Sequence, residues 1–153
     1  MIRIGCCVLA FVFFASEAIG AEWEPWPSPQ GSPLVAAGFN HDDGGTLLVI
    51  CDTKQRLMSI MFNEPRATWK EGDRIEVTTR ADDGSQMKPS AGIVIAPTRI
   101  VVKDESTWDL YTMGKARSFF ATGVGGYARV WPLANFKKTT GPVLQACGDH
   151  WPD

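Results

Sequence analysis

An antiparallel β-sandwich carrying one or two short helices is the fold class this sequence predicts, and three observations predict it. Thr46 to Asp52, TLLVICD, is an apolar run that ends in Cys51 and then turns polar, which reads as a buried strand. Asp73 to Arg80, DRIEVTTR, alternates Ile75, Val77 and Thr79 against Arg74, Glu76, Thr78 and Arg80, the two-residue period of a half-buried strand. Clusters rich in Gly, Asp and Asn at 40–45, 81–85 and 123–126 separate such runs and supply turn chemistry.

The chain of 153 residues has room for one domain. Residues 1–20 are expected to be a signal peptide: Arg3 precedes an uncharged run from Ile4 to Ser16, and Ala18-Ile19-Gly20 is a small-x-small pattern that places cleavage after Gly20. A membrane anchor is the weaker reading, because the run falls short of the roughly 20 apolar residues a spanning helix needs and Glu17 interrupts it. Cys6 lies at the start of this run, before its apolar stretch from Val8, whereas a lipidated cysteine follows such a stretch. Cleavage would remove Cys6 and Cys7 and leave Cys51 and Cys147, which in an oxidising compartment are expected to form one disulfide. Closing so long a loop stabilises by on the order of 4 kcal/mol in the chain-entropy model. A free nucleophilic Cys51 would need a neighbouring base, and the local sequence offers none.

Along the mature chain, Ala21 to Pro33, AEWEPWPSPQGSP, is rich in proline and is expected to be an extended arm whose Trp23 and Trp26 need an apolar surface to rest on. Leu34 to Phe39 reads as an edge strand and NHDDGG, 40–45, as a turn. Arg56 to Phe62 is the return strand of a hairpin with TLLVICD. Glu64 to Gly72 is a loop carrying Trp69, and a weak strand is expected near Gln86 to Lys88. In Ala91 to Lys103, Pro97 divides two β-branched runs and predicts a bulge, bend or corner. Ser106 as N-cap with Leu110 and Met113 predicts a short helix that Gly114 weakens, and a strand should resume over 116–123. Tyr127 to Phe136 begins as a strand that Pro132 ends. The last helix is expected to start at Thr140 as N-cap, to place Val143 and Cys147 on one face, and to stop at Gly148.

Leu48 to Cys51, Arg80 with Asp82 to Gly84, Gly141 with Leu144, and Cys147 together resemble exported bacterial β-sandwich proteins of the invasion-associated locus B type and the related type VI secretion-associated periplasmic proteins. The resemblance would cover most of residues 45–148 and implies a non-enzymatic sandwich outside the cytoplasm. The chain departs from the first family in lacking its second internal cysteine pair, and the resemblance carries over no catalytic residue.

Charge narrows the function classes. Fifteen Lys and Arg against seventeen Asp and Glu give a net charge of −2, and Lys137-Lys138 is the one basic doublet, so nucleic acid is not an expected partner. His41, Asp42 and Asp43 are adjacent in a turn and do not by themselves converge on a metal, although a bridge to Cys147 would draw His150 toward the same sheet end as His41. Asp82/Asp83 and Asp104/Glu105 are neighbours in sequence and cannot face each other across a sugar ring as a glycosidase pair must. No nucleophile elbow, zinc-protease motif or phosphate loop is present, and no cofactor or metal is expected. Six tryptophans remain. Trp108 and Trp131 read as core, whereas Trp23, Trp26 and above all Trp69 are the binding candidates. The expectation is a non-enzymatic protein, periplasmic or secreted, that binds another envelope or secreted protein in assembly; the alternative is a carbohydrate-binding module using exposed Trp, with a secreted hydrolase third.

Overall fold

In the computed structural model, which describes residues 22–84, 89–103 and 108–152, the chain forms nine strands and two helices. The strands are β1 (Glu24–Trp26), β2 (Leu34–Asn40), β3 (Thr46–Asp52), β4 (Leu57–Asn63), β5 (Arg74–Ala81), β6 (Ser90–Ala96), β7 (Arg99–Lys103), β8 (Phe119–Val124) and β9 (Tyr127–Pro132). The helices are α1 (Trp108–Lys115) and α2 (Phe136–Ala146). The signal peptide with its cleavage point after Gly20, the weak strand at 86–88, the Ser106 cap and the Asp104/Glu105 pair lie outside the described residues.

All strand pairs are antiparallel, in the order β1-β2-β3-β4-β7-β6-β5-β8-β9. The predicted sandwich is therefore built from one continuous sheet. It curls until its ends meet: Trp23, just before β1, packs on Phe120 of β8, and Phe39 of β2 packs on Trp131 of β9. Alternation decides what faces inward. Leu47, Val49 and Cys51 of β3, with Met58, Ile60 and Phe62 of β4, are buried in the resulting core. The alternation read from DRIEVTTR holds, with Val77 and Thr79 buried and Arg74, Glu76, Thr78 and Arg80 exposed. Pro97 and Thr98 form the tight connection between β6 and β7, with a register shift between Val94 and Ala96. Gly125 and Gly126, both at positive φ, turn β8 into β9.

The disulfide joins Cys51 to Cys147, 96 residues apart, and ties α2 to β3. Gly148, at φ 83°, ends α2 in the left-handed conformation, as predicted. The start of the helix differs. Thr140 is not its N-cap but an interior residue whose Oγ1 donates to the Phe136 carbonyl four positions back. Asn135, at φ 62°, turns the chain so that α2 begins at Phe136, and Pro142 is accommodated inside it. The expected Pro-rich arm also joins the fold. Its residues 24–26 pair with β2, so β2 is interior and β1 takes the edge, because the buried Trp23 ring draws the arm onto the sheet.

Candidate functional site

Where the ends of the sheet meet, side chains close the gap. On the free side of β9 the Trp23 indole N–H donates to Pro132 O at 2.6 Å, and the His41 ring packs against Trp131. Thr139 Oγ1 donates to the Trp23 carbonyl at 3.2 Å and brings α2 to the same seam. Trp23 finds the apolar surface expected of it within this chain: it is a core residue, 3% exposed and edge-on to Phe136, and so does not serve as the binding residue also considered for it.

Charge locks one end of the seam. Arg129 on β9 donates from Nη1 and Nη2 to both oxygens of Asp43, at 2.9 and 3.0 Å, and from Nε and Nη2 to Glu64, at 2.7 and 3.1 Å. Local turn chemistry positions Asp43, whose Oδ1 also accepts the Gly45 N–H, and Gly45 leaves open the space the guanidinium fills. Glu64 follows β4 directly and receives two further side-chain bonds and one backbone N–H bond from Arg66. Hydrogen bonds from Arg66, with those from Arg129, hold the Glu64 carboxyl at about 2 despite its burial. Hydrogen bonds from Arg129 and the Gly45 N–H hold Asp43 at about 2. Both are ionised and saturated with donors near neutral pH, an arrangement that fixes geometry and leaves no proton to exchange. Burial, and then the Arg129 charge, lower the His41 pKa.

His41 and His150 do not meet. His41 follows the end of β2 that pairs with Thr46, whereas Cys147 is held at Cys51, near the opposite end of β3. His150 lies instead beside Tyr111, whose hydroxyl donates to Asp149 Oδ1 and approaches the His150 carbonyl. No group of three or more metal-ligating side chains occurs among the described residues. Asp82 caps a loop, accepting the Arg117 and Ser118 N–H groups at 2.7 Å each.

Trp26 and Trp69 are half-buried and pack against different elements. Trp26 lies over Gly38 of β2; Trp69 packs edge-on to Tyr127 near the β8–β9 turn. Trp131 is core, as expected, with its N–H on Thr122 Oγ1, and Trp151 rests between Tyr111 and Phe136. The Trp108 side chain falls outside the described residues.

The outward face of the sheet presents a different kind of site. Leu48, Met61, Val101 and Ile93 are successive register partners across β3, β4, β7 and β6, forming one apolar row. Leu48 is buried, Met61 and Val101 are half-buried, and Ile93 and the neighbouring Ile95 are 39% and 49% exposed. Strict alternation would place polar residues there, as it does on β5. A cavity of about 400 Å³ opens between the end of α1 and the start of α2, bordered by Arg117, Lys137 and Lys138. Comparison of the chain with family models, curated proteins and solved structures finds no match in any of the three.

Proposed function

We propose that this chain is an exported, non-enzymatic protein-binding factor of envelope or secretion assembly, and that the outward face of β3, β4, β7 and β6 is its docking surface. The apolar row from Leu48 to Ile93 carries the reading. The part of this row left to water, Ile93 with Ile95 and the half-buried Val101 and Met61, costs solvation in the isolated chain, and covering it with a partner recovers that cost. The signal-like N-terminus and the Cys51–Cys147 bridge support export to an oxidising compartment, periplasmic or extracellular. Sugar binding draws less support, since Trp26 and Trp69 form no common stacking row.

The test is photo-crosslinking in an exporting cell, with a benzophenone side chain placed at position 101 and, as a control, at the exposed position 54. A discrete adduct from position 101 that Met61→Asp eliminates supports the reading. Equal labelling from both positions, or turnover of envelope polymers by the purified protein, refutes it.

A further inference from the structure

We infer that the partner docked on this face is an acidic protein segment, an apolar strip bordered by carboxylates. The inference rests on the docking face proposed above and adds the partner's chemistry. Val101 sits between its register partners Met61 and Ile93. At the usual strand spacing that row is about 10 Å wide. Arg99 and Lys103 stand on either side of Val101 along the same outward face of β7, about 13 Å apart at the rise of a strand. Arg74 pairs in register with Ile93 and closes a third side. All three cations are exposed, and none forms an ion pair among the described residues.

Among the described residues, no register partner of Arg99 or Lys103 compensates that charge. The β4 register partners of Arg99 and Lys103 are Asn63 and Ser59, both uncharged. Among the described residues, the acidic side chains beside this row are Glu76 and Asp73, which flank Arg74 on the β5 margin. An apolar centre within a charged rim is the anatomy of a protein interface, and Met and Arg are enriched in such interfaces. The arginine fork matches a carboxylate with two parallel hydrogen bonds. A bilayer is the poorer fit: interfacial insertion needs side chains that reach about 5–10 Å into the headgroup boundary. Leu48 is buried in the sheet surface, and Met61 and Val101 are half-buried.

Two helical peptides of about 15 residues, sharing one leucine stripe and flanked by Glu in one and Lys in the other, test the inference against the purified full chain. Anisotropy should show the Glu-flanked peptide binding at least about tenfold more tightly at physiological salt, and crosslinking to a benzophenone at position 101. The preference should vanish in the Arg99→Glu, Lys103→Glu variant. Equal binding of both peptides with crosslinks at position 101 would leave the docking face standing and overturn the acidic partner. Absence of peptide crosslinks at position 101 would overturn both. Sedimentation of the chain with phosphatidylglycerol vesicles, without preference between the peptides, would assign the face to lipid and overturn the inference.

Discussion

Replacing Arg129 by Ala should cost about 3 kcal/mol of folding free energy. The Glu64 side chain is 4% exposed and that of Arg129 11%, so the ion pair between them sits almost wholly out of water. Removing one partner from a buried pair typically costs about 3–5 kcal/mol, because the other charge stays buried without its counter-ion. Arg66 keeps its bonds to Glu64 at 2.6 and 3.0 Å, which sets the loss at the lower end of that range. The Asp43 side chain is 55% exposed, so water replaces the guanidinium there with little penalty. For a domain of this size the loss corresponds to a fall in Tm of about 10 °C. Urea unfolding and calorimetry of the oxidised protein measure it. Adding Glu64→Leu to Arg129→Ala should recover most of the loss, because the stranded carboxylate is then gone. A single-variant loss below about 1 kcal/mol, or a double variant no more stable than the single, would refute the account of a buried lock. Acid supplies an independent check. Glu64 is held at about 2 against an ordinary 4.5, so its contribution is complete above pH 4.5 and is lost as pH falls toward 2. Without Arg129 the folded-state pKa of Glu64 rises, so the loss below pH 4.5 should be smaller and should be complete at a higher pH.

The His41 pKa lies below its ordinary 6.5 because of burial and then Arg129, with Asp43, Asp42 and the Val130 backbone opposing. Its contribution to stability is therefore complete above pH 6.5 and declines as pH falls below it; denaturation midpoints across that range should show the slope, and His41→Gln should remove it. Peptide mapping without reduction should recover the peptides of Cys51 and Cys147 joined, and replacing both by Ala should cost up to about 4 kcal/mol in urea unfolding. A Cβ at Gly45 would overlap the Arg129 guanidinium, so Gly45→Ala should destabilise by about 1–3 kcal/mol and its effect should largely disappear in the Arg129→Ala background. Val101→Asp should change stability by no more than about 1 kcal/mol while abolishing crosslinking of a partner at the outward face.

Strands were legible where one face meets water and the other does not. DRIEVTTR and TLLVICD could be placed from periodicity and burial alone, and Cys51 with Cys147 from compartment and count. The outward row has no signature of its own in the sequence, because TLLVICD is apolar on both faces: Leu47 and Val49 face the core, and Leu48 the other side. A run buried within the sheet and a run with an exposed apolar face have the same sequence signature. The seam was hidden for another reason. Asp43, Glu64 and Arg129 are brought together by curling of the whole sheet, and no local spacing links residues so far apart in the chain. That the Trp23 ring needs an apolar surface is legible in the sequence, but the pocket that receives it, made from α2, β8 and β9, is assembled only by the fold. The start of α2 is not legible in the sequence, because Asn135 gives no conventional capping bond while Thr140-Gly141-Pro142 imitates a helix opening.

The side-chain closure of β9 also bears on how copies of this protein behave when crowded. An unpaired strand is a template for polymerisation, since its row of carbonyls and amides accepts any passing extended chain. Here the Pro132 carbonyl is already occupied by an indole that cannot propagate a ladder, and Pro132 itself offers no N–H. At the other end β1 is three residues long and contains Pro25, with Pro27 directly after it, so it offers little for another strand to grip. Both routes to runaway edge-to-edge growth are blunted. The chain can therefore carry a sticky outward face at high local concentration without that face seeding fibres, and association is steered toward contacts that terminate.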